Sequence, residues 1–277
     1  MIPKSFHWLM QGWFRKTSAF RRFECSKAEM KQGASLRGLS ASSVPPAARH
    51  IPLCGRYTLS VPLSNLVDSF DVLPPEFDYQ PRFNIAPTQD APVIAEDENG
   101  RRVGLLRWGL IPFWAKDQAI GNRMINARSE TVGEKPAFRS AFQRRRCLVP
   151  ADGFYEWKKV EEGGGAKASK VPFWIHREDR TPFAMAGLWE KWKPGEGNPV
   201  YSFTILTTEA VPEIREIHPR MPVILPPNVH DQWLDPEADP AELEALLRPN
   251  GNGLQAYLVS LLVNSPRNDT TECINPA

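Results

Sequence analysis

Proline sets the strongest limit on what this chain can fold into. Twenty-seven prolines are spread through 277 residues. Each removes a backbone donor and fixes φ, which rules out long helices and confines strands to short pieces. The apolar runs between them fit that limit. Residues 91–95 and 102–108 read as strands joined through Asp97-Glu98-Asn99-Gly100, a hairpin signal. Short strands follow at 146–149 and 154–158, around the turn Pro150-Ala151-Asp152-Gly153, and again at 171–176, 183–192 and 201–207. A last strand is expected over 254–262. Helical spacing of Leu63, Leu66, Val67 and Phe70 predicts a helix over 63–70, with Ser60 as cap ahead of Pro62. A second helix runs to about 247 from the cap Asp239, with Pro240 in its first turn. Gly163-Gly164-Gly165 marks 161–169 as an exposed loop. Neither a βαβ rhythm nor an internal repeat is visible, so the fold class is α+β with a largely antiparallel sheet.

Composition divides the chain near residue 53. Before that point nine basic residues (Lys4, Arg15, Lys16, Arg21, Arg22, Lys27, Lys31, Arg37 and Arg49) face only Glu24 and Glu29, a net +7. The whole chain carries +2, so residues 54–277 carry −5 and the basic balance belongs to the extension. Residues 41–52 are rich in Ser, Ala and Pro and read as a flexible joint. Residues 1–53 are therefore expected to be a disordered or mis-assigned N-terminal extension, with 54–277 as one sizeable domain. A Leu codon at 53 that initiates translation would explain the aperiodic sequence. A transit peptide is the weaker reading, and 6–14 is too interrupted for a secretory core. No apolar run reaches 18 residues, so no membrane span is expected. Cys25, Cys54, Cys147 and Cys273 form no CxxC pair and have no His at ligand spacing, which argues against zinc and for a reducing cytoplasm.

Several residues carry possible chemistry. Glu156 lies between Tyr155 and Trp157, so strand alternation turns it away from both. Lining a cleft, it would be desolvated into the useful acid–base range; otherwise it is a surface carboxylate. His218, before Pro219, sits at a rigid bend as either a proton donor or a structural hydrogen-bonding residue. Asn126 can orient an amine or a sugar oxygen, or serve as a turn residue. Asn84, before Ile85-Ala86-Pro87, reads equally as turn chemistry. Arg56 and Arg128 can grip phosphates bidentately. Arg139, Arg144, Arg145 and Arg146 add basic charge that is ordinarily a solvated face. Phe113 and Trp114 can stack or wedge against bases, whereas Trp108 is expected in the core. His176 and His230 read as structural.

The segments Cys54-Gly55-Arg56-Tyr57, Arg82-Phe83-Asn84-Ile85-Ala86-Pro87, Trp108-Gly109-Leu110-Ile111-Pro112, Asn126-Ala127-Arg128-Ser129-Glu130-Thr131, Gly153-Phe154-Tyr155-Glu156-Trp157 and Ile217-His218-Pro219-Arg220-Met221-Pro222 occur in that order along 54–277. Together they resemble the SRAP family (SOS response-associated peptidase; abasic-site processing proteins), whose members begin Met-Cys-Gly-Arg and lose the Met. The resemblance implies a curved, barrel-like sheet flanked by a few helices, with the Cys at the floor of a cleft. It implies a substrate, the abasic site in single-stranded DNA, captured in a thiazolidine crosslink by the amine and thiol of an N-terminal Cys. Cys54, Asn126, Glu156 and His218 would do the chemistry, with Glu156 assisting amine attack and shielding the link. Arg56, Asn84, Phe113, Trp114, Arg128 and Arg220 would contact DNA. No metal or organic cofactor and no membrane is required; replication-fork partners are conceivable but unspecified, and a bacterial member would act at the nucleoid. Here Leu53 precedes Cys54, so the extension is removed, is never made, or leaves the chain without this chemistry. The rivals are a cysteine peptidase with self-processing activity, a non-covalent single-strand-binding module and an abasic lyase.

Overall fold

The expected hairpin closes on two residues. Asp97 pairs with Gly100, whose φ of +110° suits glycine, and the Asn99 N–H donates to Asp97 Oδ1 at 2.8 Å. The computed structural model of the chain describes residues 54–75, 77–160, 169–251 and 253–277. The expectations for 1–53 and for the loop 161–168 lie outside these residues.

In chain order the elements are β1 (Tyr57–Leu59), α1 (Leu63–Phe70), β2 (Arg82–Ile85), β3 (Asp90–Asp97), β4 (Gly100–Trp108), β5 (Asn126–Arg128), α2 (Arg139–Arg144), β6 (Arg146–Ala151), β7 (Gly153–Val160) and β8 (Ser169–Arg177). There follow β9 (Phe183–Trp192), β10 (Val200–Glu209), α3 (Pro212–Arg215), β11 (Arg220–Pro222), β12 (Ile224–Leu225), α4 (His230–Leu234), α5 (Pro240–Leu246) and β13 (Leu254–Leu258). Strands β10, β4, β3, β6 and β9 pair in turn, and β9 pairs back with β10, closing a five-stranded barrel. A second sheet runs β13-β8-β7-β1-β2, antiparallel throughout. The α+β, largely antiparallel expectation holds, with β10 as the exception: it runs parallel to β4 and to β5.

Between the sheets Tyr57 meets Trp108 edge-on, their ring centroids 5.1 Å apart, and Trp108 stacks on Phe203. Trp108 is fully buried, as expected, and its indole N–H donates to Ile125 O at 2.8 Å. His176 and His230 bond to backbone carbonyls, which fits their structural reading.

The turn after β6 moves the chain from barrel to second sheet. Asp152, the residue between β6 and β7, accepts hydrogen bonds from Thr58 Oγ1 (2.5 Å), the Ser60 N–H (2.6 Å) and Ser60 Oγ (2.5 Å). Its own N–H donates to Thr58 O at 3.0 Å. This bonding corrects one expectation: Ser60 does not cap α1, whose cap position is Pro62 without a side-chain bond. The last strand is also shorter than expected. It ends at Leu258, because Ser260 Oγ accepts from the Leu262 N–H and opens a 3-10 turn, Leu261–Asn264. The basic run divides: Arg139 and Arg144 are exposed, as a solvated face requires, but Arg145 and Arg146 are not. Arg146 is buried and donates to the carbonyls of Trp233, Phe142, Gln143 and Asp235, while Arg145 pairs with Glu190 at 2.8 Å.

Gly153 gives β7 its seat. A Cβ there would stand 2.2 Å from Trp174 Nε1. That indole cannot easily yield, being bonded to Thr58 Oγ1 at 3.2 Å and stacked on His176. Gly153→Ala is therefore expected to destabilise the fold by about 1–3 kcal/mol through overpacking. Urea unfolding with an unchanged m-value checks this.

Candidate functional site

Four side chains far apart in sequence meet where β1 begins. Cys54 enters β1 and is buried. Its backbone nitrogen donates to Glu156 Oε1 at 2.8 Å, and its carbonyl accepts from Asn126 Nδ2 at 3.1 Å. Asn126 starts β5 and is held there by the parallel pairing with Ile205. Glu156 faces Cys54 because Tyr155 points the other way, into a cluster with Trp174, Val259, Val263 and Cys273. His218 follows α3, with its N–H donated to Ile214 O at 3.0 Å. Its Nδ1 lies 3.8 Å from Glu156 Oε1. The sequence expectation that Cys54, Asn126, Glu156 and His218 share one place is met.

Burial favours the neutral forms of the titratable groups around the Cys54 nitrogen. Burial pushes the Glu156 carboxyl up to about 8, against the opposing pull of the Cys54 N–H and the Lys170 charge. Burial pushes the His218 imidazole below its ordinary value, and the charges of Lys170, Arg220 and Lys159 push it the same way. His218 Nδ1 lies 3.1 Å from the Arg220 carbonyl and 3.2 Å from the Arg220 N–H, so it meets a partner whether or not it carries the proton. Nε2 is buried without a hydrogen-bond partner among the described residues. Burial and the neighbouring Glu156 push the Cys54 thiol well up. A carboxylic acid, a neutral imidazole and a protonated thiol thus surround one nitrogen, a set suited to moving protons rather than to binding a cation.

The expected DNA contacts divide. Phe113 and Trp114 are 58% and 49% exposed, on the loop after β4. That loop is stiff. Gly109, with φ +123°, lets the backbone pass Gly121 so closely that a Cβ would lie 2.5 Å from its carbonyl oxygen. The Trp192 indole N–H then fixes Ala115 O at 2.7 Å. Arg128 is exposed at the end of β5. Arg220 lies just after His218, with its guanidinium on Glu130 and Thr207 O. Asn84 is corrected: it is fully buried, and its Nδ2 donates to the carbonyls of Val263, Ser265 and Asn268 while Oδ1 accepts from Arg56. Arg56 turns inward with it, donating to Val263 O at 2.7 Å and Asn264 O at 3.3 Å. These two residues clasp the C-terminal segment, leaving Asn84 no surface to offer DNA. Asp152, read from sequence only as part of a turn, and Trp192, read only as strand, escaped notice because their roles depend on partners distant in the chain.

A family model described as SOS response associated peptidase (SRAP) matches residues 53–266. The abasic site processing protein YoqW of Bacillus subtilis (strain 168) is 45% identical over 226 residues, covering 80% of this chain and 99% of its own length. The abasic site processing protein HMCES of Gallus gallus is 34% identical over 231 residues, covering 72% of this chain and 67% of its own. A crystal structure of a Bacteroides thetaiotaomicron protein superposes with a TM-score of 0.70 at 27% identity, covering 81% of this chain and all of the other.

The raised Glu156 pKa has a sign that can be measured. The folded state holds this proton between the ordinary carboxyl value of 4.5 and about 8, where the unfolded chain has lost it. The stabilisation is complete below 4.5 and is lost as pH rises through 8. His218, pushed down from 6.5, acts in the opposite sense just below that value. Comparing Glu156→Gln with the parent isolates the carboxyl: the stability difference should move in favour of the Gln form as pH rises from 5 to 8.5. Denaturant midpoints at each pH give the result, and a difference that does not vary with pH would sink the assignment.

Proposed function

The chain belongs to the SOS response associated peptidase (SRAP) family, and from that premise we propose that it processes abasic sites in DNA by capturing them covalently through Cys54. The relatives' name, abasic site processing protein, supports the substrate. The observation that carries the chemistry is the 2.8 Å contact between the Cys54 nitrogen and Glu156. In a form that starts at Cys54 this nitrogen is an amine. An α-amine titrates near 7.7–8.0, and Glu156 is pushed up to about 8. The short contact gives the proton a direct path between the nitrogen and the carboxyl.

The steps then balance. The deoxyribose hemiacetal opens to its aldehyde: the imidazolium form of His218 gives a proton to the ring oxygen and takes back the one shed by the anomeric hydroxyl. The neutral Cys54 amine attacks the aldehyde carbon; the Glu156 carboxyl protonates the developing alkoxide, and the carboxylate so formed takes one proton from the nitrogen, giving the carbinolamine. The same carboxyl then protonates the hydroxyl as it leaves as water and takes up the second nitrogen proton, leaving a Schiff base. The thiol sulfur adds to the imine carbon, its proton ends on the nitrogen, and a thiazolidine closes. One water is released overall and no electron changes hands. Asn126, bonded to the Cys54 carbonyl, holds the residue in the orientation for ring closure. Arg128 and Arg220 take phosphates and the exposed Phe113–Trp114 pair takes bases, which favours single-stranded DNA. Such capture shields the lesion from strand cleavage and fits a role in the DNA damage (SOS) response. It requires a reduced thiol, so we place it in the cytoplasm. A thiolate peptidase is less well supported, because burial raises the Cys54 thiol instead of lowering it.

The test starts from purified protein beginning at Cys54, which is close to the full extent of the YoqW relative. It should form a heat-stable crosslink with abasic single-stranded DNA, with a mass lower by one water than the sum of the partners. Cys54→Ala should form no thiazolidine, and Cys54→Ser only a weaker, reversible adduct. Glu156→Gln or His218→Ala should slow capture by about 10²–10⁴-fold, the ordinary range for lost acid–base assistance. The 277-residue chain should be inert until 1–53 are lost, because the Cys54 amide nitrogen is delocalised into the Leu53 carbonyl. A thiazolidine on the intact 277-residue chain would show that the nucleophile is wrongly assigned.

A further inference from the structure

Glu130 is a charged group beside the site that the chemistry above leaves without a task. It lies in the 3-10 turn Ser129–Thr131, which follows β5 directly. Its carboxylate fits the Arg220 guanidinium as a fork: Oε1 accepts from Nη1, and Oε2 accepts from Nη2 at 3.0 Å. Thr207 O accepts from the same Nη2 at 2.6 Å and fixes the guanidinium from behind. Arg128 pairs with Thr207 across β5 and β10, so it belongs to the same corner. Burial alone would raise the Glu130 carboxyl; the Arg220 hydrogen bonds and the charges of Arg220 and Arg128 outweigh it and hold the group below its ordinary value. Arg220 therefore grips this carboxylate, with the charge of Arg128 near enough to act on it, and the Arg220 backbone bonds His218.

A guanidinium fork receives carboxylate and phosphate in the same bidentate geometry. The two partners differ in freedom. The Arg220 side chain is 13% exposed, whereas that of Glu130 is 47% exposed. Glu130 can swing into water while Arg220 stays fixed by Thr207.

We propose that Glu130 stands in for a DNA phosphate: it occupies the Arg128–Arg220 corner in the free protein, and a backbone phosphate flanking the abasic nucleotide displaces it. The inference rests on the reading of the protein as a DNA-binding one. A lone small anion cannot win this exchange, because it brings no further contacts to offset the lost carboxylate. A strand that also stacks on Phe113 and Trp114 can. Glu130 then lowers affinity for nucleic acid that does not set a phosphate in this corner, and acts as a specificity-determining residue.

The experiment compares binding of an undamaged single-stranded oligonucleotide to protein beginning at Cys54, by fluorescence anisotropy over a salt series. Glu130→Gln keeps the shape and removes the charge. It should bind roughly three- to tenfold tighter at low salt, with a log–log salt slope steeper by about 0.7, the value for one added single-strand phosphate contact. Glu130→Asp keeps the charge and should stay within about twofold of the parent. If the Gln form does not melt like the parent, Glu130→Ala replaces it, with the same tightening expected. Unchanged or weaker binding on removal of the charge overturns the proposal. So does tightening in the Asp form equal to that in the Gln form. A parent protein that binds the strand but never crosslinks abasic DNA would overturn the capture chemistry instead, and the affinity comparison would still decide the role of Glu130.

Discussion

Everything near Cys54 depends on one carboxylate. Asp152 sits where the chain leaves the barrel for the second sheet, and it takes two hydroxyl donors and one amide donor from Thr58 and Ser60. Hydrogen bonds to a charged group contribute about 1.5–3 kcal/mol each, more than neutral ones. β1 is only three residues long and could not hold its register on ladder bonds alone. Asp152 fixes β1 against the start of β7, and that registry brings the Cys54 nitrogen to Glu156. An error of one residue would turn Glu156 to the other face and put Tyr155 at the cysteine.

The chemistry follows from burial more than from charge. Glu156, His218 and Cys54 are all desolvated, and desolvation moves each toward its neutral form. A charged site would hold its protons on fixed atoms. A neutral one lets protons move between the carboxyl and the nitrogen beside it, as the proposed capture requires. Asn126 adds orientation without charge, which is why an amide rather than a carboxylate suits its position beside the Cys54 carbonyl.

Much of this was legible in the sequence because it is local. The hairpin at Asp97–Gly100, the helix at 63–70 and the Asp239 cap each declare themselves within a few residues, and all appear where expected. Alternation alone turned Glu156 away from Tyr155. The failures share one cause. Ser60 looks like a cap until Asp152, 92 positions away, claims its hydroxyl. Asn84 and Arg56 look like ligands for DNA until the C-terminal carbonyls, about 180–208 positions on, take their hydrogen bonds. Polar side chains announce their capacity in sequence, but a partner so distant is supplied only by the fold.

The same distinction resolves the apparent conflict between a domain of net −5 and a polyanionic substrate. Many of its arginines are spent inside the protein. Arg146 bonds four carbonyls, Arg145 pairs with Glu190, Arg82 with Asp269, and Arg56 holds the tail. Net charge therefore counts groups already engaged within the protein. What a strand meets is the local field around the cleft, set by a few groups with unequal freedom. Arg128 is exposed, Arg220 is fixed but countered by Glu130, and the exposed Phe113–Trp114 pair carries no charge. On the proposed reading, affinity built this way would be modest for arbitrary nucleic acid and rise where stacking and phosphate contacts coincide, the discrimination that covalent capture of a lesion would need.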